Sequence, residues 1–270
     1  MMRALWTAAS GMNSQQTHVD TIAHNLSNIN TAGYKSEKAE FKTLLYQNLQ
    51  SQSTNSDGTR KPISAQVGLG TRMASVTSNF NQGSMNETGL FTDWGIEGDG
   101  FYKIDTGNGI MYTRNASFAL TTVDGGVMVT TSNGFPVLDS NNETMVIPSD
   151  YSSSTITVTE DGKLFARNQA NELIDLGIQV SLVQFANPAG LSKEGNSLFA
   201  ETENSGEPME ELTSDTLKNS KIHQKYLEAS NVQAADEMVN LIIAQRAYEM
   251  NSKAIQSADT MMQQANNLRS

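Results

Sequence analysis

The side chains best able to do chemistry are few, and their spacing suits little of it. The three histidines are His18, His24 and His223. His18 and His24 are six residues apart, which on a helix sets them on different faces, whereas a helical metal pair needs i, i+4. The chain has no cysteine, so disulfides, thiolate nucleophiles and thiolate metal sites are all removed. It contains no G-x-S-x-G, no H-E-x-x-H and no P-loop. Gly68-Leu69-Gly70 and Gly98-Asp99-Gly100 lack the third glycine of a dinucleotide loop and read as turns. A carboxylate pair of the glycosidase type is the last enzymatic option. Asp99, Asp105, Asp124, Glu160 and Asp161 are available for it, but most sit beside glycines, where aspartate accepts backbone N–H bonds in turns. The chain is therefore expected to have no catalytic residue, no cofactor and no metal. A secreted β-rich enzyme or carbohydrate-binding domain is the competing reading.

Charge narrows the partners. Eighteen basic residues face 29 acidic ones, for a net charge of −11. Phosphates need Lys/Arg clusters, and Arg60-Lys61 with the scattered Lys35, Lys38 and Lys42 are too thin, so nucleic acid is not an expected partner. No stretch approaches the roughly 18 apolar residues that span a bilayer, so membrane insertion is not expected either. The opening Met-Met-Arg-Ala-Leu-Trp has no long apolar core and no clear cleavage site, unlike a Sec-type signal.

Glycine and proline divide the chain. Residues 1–57 hold only Gly11 and Gly33 and no proline; residues 207–270 hold no glycine and only Pro208. All other glycines and prolines lie between Gly58 and Gly206. Because these residues punctuate turns and weaken helix interiors, both ends read as long helices and the middle as a turn-rich β body. Leu5, Ala8, Met12, Gln15, Val19, Ile22, Leu26 and Ile29 follow a three–four spacing, a heptad seam with one polar member. Leu241, Tyr248, Ile255 and Met262 recur every seven residues near the other end, flanked by Ala244, Ala247, Ala254, Ala258 and Ala265. Each stripe is narrow, and a narrow stripe buries too little to hold an isolated helix. The arms are thus expected to order only against each other or against neighbouring molecules; an ordinary intramolecular hairpin is the plainer alternative. Between them, Asn108-Gly109, Asp124-Gly125, Asn133-Gly134 and Asp161-Gly162 are hairpin dipeptides. Flanking runs such as 101–104, 127–129, 155–158 and 178–183 are β-branched or aromatic. The predicted class is α+β: N- and C-terminal helices forming an antiparallel coiled-coil pair, plus a central antiparallel β-rich domain. The predicted division is a discontinuous helical domain, 1–34 and 222–270, an extended linker, 35–75, and a β-rich outer domain with a return linker, 76–221.

Two stretches resemble a known family. Ala9-Ser10-Gly11-Met12, then Asp20-Thr21-Ile22-Ala23-His24-Asn25-Leu26-Ser27-Asn28-Ile29-Asn30-Thr31-Ala32-Gly33-Tyr34-Lys35, is similar to the N-terminal signature of bacterial flagellar rod and hook proteins, with His24 and Ser27 as departures. Tyr226-Leu227-Glu228-Ala229-Ser230-Asn231-Val232, then Glu237–Ile242 and Gln245–Ile255, resembles the C-terminal signature. Ile96–Tyr102 and Tyr112–Phe118 resemble the motifs of the family's β domain. The chain's length, its first six residues and Leu44–Leu49 are most like the family's distal-rod members, with a proximal-rod or hook-type paralogue as the alternative.

The resemblance implies a structural subunit of a hollow helical drive shaft that carries torque from motor to hook. Helices line the tube and the β domain forms its wall. The implied partners are further copies of the chain, proximal rod proteins, the hook protein, the surrounding basal-body rings and the flagellar type III export apparatus. The implied place is the periplasm-spanning rod of the basal body, reached without a cleaved signal. Assembly is assigned to Leu5, Met12, Val19, Ile22, Leu26, Ile29, Met238, Leu241, Tyr248, Ile255 and Met262. The family signature comprises Asn25, Leu26, Asn28, Asn30, Thr31, Gly33, Tyr34 and Lys35 at one end. At the other it comprises Glu228, Ser230, Asn231, Gln245, Arg246, Tyr248 and Asn251.

Overall fold

The computed structural model describes residues 2–50, 65–149, 151, 155–167, 172–213 and 217–268. The stretch 51–64 of the predicted linker lies outside the described residues. The chain forms two compact units. A helical unit takes 1–27, 37–78 and 233–270; a β body takes 28–36 and 79–232. The sequence put its boundaries at 34/35, 75/76 and 221/222, so both signatures are shared between the units.

In the helical unit, α1 (Met2–Ser27) has two packed faces. Its seam residues Leu5, Met12, Val19 and Leu26 are half-buried, and Ala8 and Ile22 are buried. The other face lies on a ribbon made by β1 (Glu37–Thr43) and β4 (Thr71–Ser78), paired antiparallel from Glu37↔Ser78 to Thr43↔Thr71. There Ser14 Oγ is 3.2 Å from Thr71 Oγ1, and the His18 and Phe41 rings meet edge to face at 5.9 Å. Between them β2 (Tyr46–Gln50) pairs antiparallel with β3 (Ala65–Gly68). Across the seam runs α2 (Ala234–Asn267). Its first turn carries Asp236 and Glu237, which suit the positive end of the helix dipole. Asn25 donates to Glu237 Oε1 at 3.0 Å, and a Cβ on Gly11 would lie 2.9 Å from the Asn251 amide nitrogen. These two contacts set α1 and α2 in opposite directions.

Three expectations for the helices change. Ile29 lies in the turn beyond α1, in the β body. The C-terminal helix starts at Ala234; residues 221–228 are strands instead. On α2 the deepest positions are Ala244 and Ala258, because small side chains let the helices approach. Leu241, Ile255 and Met262 are half-buried, whereas Met238 and Tyr248 are exposed.

The β body has a four-stranded sheet with β5 (Met85–Glu87), β6 (Trp94–Glu97), β19 (Lys221–Gln224) and β20 (Tyr226–Glu228), in the order β19-β6-β20-β5. A six-stranded sheet contains β7 (Phe101–Asp105), β8 (Ile110–Thr113), β15 (Leu182–Gln184), β16 (Ser192–Gly195), β17 (Leu198–Ala200) and β18 (Met209–Glu210), in the order β16-β17-β8-β7-β15-β18. The described residues also form two three-stranded sheets. One is β11-β10-β9, from β9 (Phe118–Val123), β10 (Gly126–Thr131) and β11 (Val146–Pro148); the other is β12-β13-β14, from β12 (Ile156–Val158), β13 (Lys163–Arg167) and β14 (Leu173–Gln179).

The Asn-Gly and Asp-Gly pairs fall at turns, as their tolerance of positive φ requires. Among the described residues pairing is antiparallel except where Tyr226 of β20 meets Trp94 of β6 in parallel. The chain swings from one side of β6 to the other at Lys225, whose φ is 69°. The apolar run 178–183 does not form one strand: it ends β14 and begins β15, which belong to different sheets. At the break lies Ser181, whose buried Oγ has no hydrogen-bond partner among the described residues. Trp94, Ile96, Tyr102, Phe118, Val129, Leu164 and Ile222 share one core. Phe101, Tyr112, Val183, Phe185 and Phe199 form a second, rich in edge-to-face ring contacts.

Candidate functional site

The residues of the two signatures meet inside the β body. After α1 the chain makes a tight turn: Thr31 N–H donates to Asn28 O, and Thr31 Oγ1 lies 3.1 Å from Asn28 Oδ1. Gly33 follows with φ +68°, and a Cβ there would come 2.7 Å from the Arg114 backbone. A left-handed φ and a backbone neighbour together leave room only for glycine. The Gly33 N–H donates to Glu228 O at 2.8 Å. This turn delivers Lys35 to the interior.

Glu228 closes β20, the strand held between β6 and β5. Its Oε1 accepts from Lys35 Nζ at 2.6 Å and from Gly83 N–H at 2.8 Å, and its Oε2 accepts from Arg114 Nε at 3.1 Å. Lys35 also donates to Asn81 O at 3.0 Å; Arg114 donates to Gly98 O and lies 5.4 Å from the Phe101 ring centre. The three charged side chains are each 1% exposed. One carboxylate, from residue 228, thus serves two buried cations, from residues 35 and 114. Burial, and next the charge of Arg114, lower the Lys35 pKa from 10.5 to about 8, against the pull of Glu228. A lysine brought this near neutrality is a base or nucleophile where substrate reaches it. Here Nζ is enclosed by Glu228 and Asn81, so its charge ties segments of chain together.

The other signature residues divide between the units. In the helical unit Asn25 is 1% exposed. Its Nδ2 donates to Glu37 O at 2.8 Å and its Oδ1 accepts from Glu37 N–H at 2.8 Å, so one amide splices β1 to α1. Leu26 is half-buried on α1, and Asn251 packs against Gly11. Gln245 and Tyr248 line a groove with Gln16, Val19 and Glu249, while exposed Arg246 pairs with Glu249 at 2.9 Å. In the β body Asn30 and Ser230 line a groove of about 190 Å³ with Ile29, Ala32 and Leu227. Tyr34 N–H donates to Thr31 O. The side chain of Asn231 bonds to the backbone of Ser36, Asn79 and Asn81.

Sequence reasoning missed Arg114, Gly83 and Asn81 as members of this site. The available signal was Arg114 itself, a lone cation in the otherwise uncharged run Tyr112–Phe118. Among the described residues no group of three or more His, Asp or Glu side chains is placed to hold a metal ion, and no helix is long and apolar enough to cross a membrane.

Three family models match the chain. "Flagella basal body rod protein" covers 5–35, "Flagellar hook protein FlgE/F/G D1 domain" covers 95–166, and "Flagellar basal body rod FlgEFG protein C-terminal" covers 223–268. Among curated proteins, the flagellar basal-body rod protein FlgG of Borreliella burgdorferi is 46% identical over 100% of this chain and 99% of its own length. That of Agrobacterium fabrum is 40% identical over 96% and 97%. That of Bacillus subtilis is 34% identical over the whole of both chains.

Proposed function

The chain belongs to the flagellar basal-body rod family, and from that premise we propose that it is a structural, non-enzymatic subunit of the distal rod. Copies stack into a hollow helical shaft that carries torque from motor to hook. In it α1 and α2 form an antiparallel coiled-coil pair lining the tube, and the β body forms the wall. Its partners are further copies, proximal rod proteins below, the hook protein above, the surrounding rings, and the type III export apparatus that delivers it without a cleaved signal. It resides in the periplasm-spanning part of the basal body. Stacking into an open shaft needs two different patches on each subunit.

The observation that carries this reading is the outer face of α2. Val239, Ile242, Ile243 and Met250 are each more than half exposed, on the side away from the buried column of Ala244 and Ala258. A row of aliphatic side chains is costly to leave in water and is expected to be covered by neighbours. The arms gain their order in full only there, because the entropy of ordering is offset when partners bind. The test is the double substitution Val239→Asp with Ile242→Asp, in cells and in purified protein. The expected outcome is loss of rod assembly and motility with β-body melting unchanged. Normal swimming by that variant would overturn the reading.

A further inference from the structure

The chain holds two Asn-Gly pairs, Asn108-Gly109 and Asn133-Gly134, both in turns of the β body. Such a pair is a turn signal and also a reactive one. With no side chain on the second residue, its backbone nitrogen comes close to the amide carbon of the asparagine. The two pairs are alike in most respects. All four residues are exposed. Both glycines have positive φ, +143° at Gly109 and +85° at Gly134, and nothing lies within 4 Å of where a Cβ would stand. Neither asparagine side chain has a hydrogen-bond partner among the described residues. They differ at one atom. At Gly134 the turn is closed through the N–H, which donates to Thr131 O at 2.9 Å. At Gly109 it is closed through the carbonyl, which accepts from Thr106 N–H at 3.2 Å and from Thr106 Oγ1 at 2.8 Å. The Gly109 N–H has no partner among the described residues. The attacking nitrogen is thus free in one pair and engaged in the other.

We propose that Asn108 is a site of self-modification, where the folded chain converts its own asparagine to aspartate and isoaspartate through the Gly109 nitrogen. Gly109 N forms a bond to Asn108 Cγ and closes a five-membered imide. The Cγ–Nδ2 bond breaks, and the proton from Gly109 N–H leaves on Nδ2 as ammonia. Water then opens the imide at either carbonyl. Opening at Cγ leaves aspartate; opening at the backbone carbonyl leaves isoaspartate, with the main chain routed through the former side chain. The balance is one water in and one ammonia out. Either product sets a carboxylate into a loop that already carries Asp105, whose Oδ1 accepts from Gly107 N–H at 2.8 Å. This loop joins β7 to β8, the middle pair of the six-stranded sheet. Nothing in the chemistry depends on what the chain assembles with.

The test is a time course on the full-length folded protein at mildly alkaline pH, with peptide mapping by mass spectrometry. The peptide holding Asn108 is expected to gain the mass difference between OH and NH2. It should do so about tenfold faster than the peptide holding Asn133, because the Gly134 bond must open first and a net hydrogen bond is worth about that factor in rate. The same time course in concentrated urea isolates sequence from structure. There both nitrogens are free, and the two rates are expected to agree within about twofold. Fragmentation that separates isoaspartate from aspartate should find both at residue 108. Asn108→Gln should abolish the gain in its own peptide and leave that of the Asn133 peptide unchanged. A ratio in the folded protein no larger than in urea overturns the proposal, as does a folded chain that leaves Asn108 intact while urea exposes it to change. Aspartate without any isoaspartate overturns the role of the Gly109 nitrogen, since it means that water attacks the amide directly.

Discussion

The two units of this molecule are finished to different degrees. The β body buries large side chains, among them Trp94, Phe101, Tyr102, Ile104 and Leu164, and holds a charge cluster sealed from water. Among the described residues of the helical unit Ile22 is the one buried hydrophobic side chain larger than alanine; the others are Ala8, Ala39, Ala244 and Ala258. The same unit leaves Trp6, Leu45, Tyr46, Val239, Ile242, Ile243 and Met250 exposed. Burying a leucine- or phenylalanine-sized side chain contributes about 1.5–3 kcal/mol, and an alanine far less. One unit is thus stabilised by its own interior, while the other leaves many of its large apolar side chains in solvent.

The largest effect is expected at the heart of the finished unit. Glu228→Gln leaves Lys35 and Arg114 buried without their anion. Removing one member of a buried ion cluster costs about 3–5 kcal/mol, because the remaining charge stays uncompensated. Denaturant unfolding followed through the body's tryptophan, Trp94, should report a loss of that order. Adding Lys35→Met should recover part of it, since that change removes one of the two stranded cations. If instead the double variant is as unstable as the single one, the cost lies in the amide donor that glutamine sets against the donors around Glu228, and charge does not set the body apart.

The difference between the units was only half legible in the sequence. Both helices follow from the missing glycines and prolines, the α1 seam from its three–four spacing, and the hairpins from Asp-Gly and Asn-Gly pairs. These are local signals. The strands 221–224 and 226–228 were invisible beside a helical C-terminus, because they exist to pair with β6 from both sides, and such pairing depends on distant residues. On α2 the seam and its alanine flank were both legible, but not which of the two lies deeper. Leu241, Tyr248, Ile255 and Met262 carry the heptad, yet Ala244 and Ala258 are buried deepest, since the depth of a helix contact is set by how closely the backbones approach. Lys35 and Glu228 were marked by the family pattern, but nothing in the order of residues joined them to Arg114.

A smaller effect is expected from pH and tests the same cluster. Lys35 has a pKa of about 8 in the folded chain against 10.5 unfolded. Between these values the unfolded chain holds more protons at this position, so raising the pH favours the folded state. The slope is at most about 1.4 kcal/mol per pH unit. It is best read between pH 8 and 9.5, since Tyr102 and Tyr112, both pushed upward chiefly by burial, pull the other way once unfolded tyrosines begin to ionise. Stability measured over this window should climb less steeply in Lys35→Met than in the parent. Equal slopes would mean that burial does not disfavour the lysine's charge.

The smallest effect is expected in the unfinished unit, where smallness is itself the evidence. Ile243 is 59% exposed on α2, next in sequence to Ala244, which is fully buried. Substitution of a solvated side chain changes stability by no more than about 0.5 kcal/mol, whereas truncating a buried isoleucine costs about 2–5 kcal/mol. Ile243→Ser should therefore leave the unfolding free energy of dilute, unassembled protein within about 0.5 kcal/mol of the parent, while Ile96→Ala in the body core should lower it severalfold more. If Ile243→Ser instead destabilises dilute protein as strongly as Ile96→Ala, then Ile243 is already covered within a single chain. The contrast between a completed body and arms awaiting neighbours would then fail at its most exposed point.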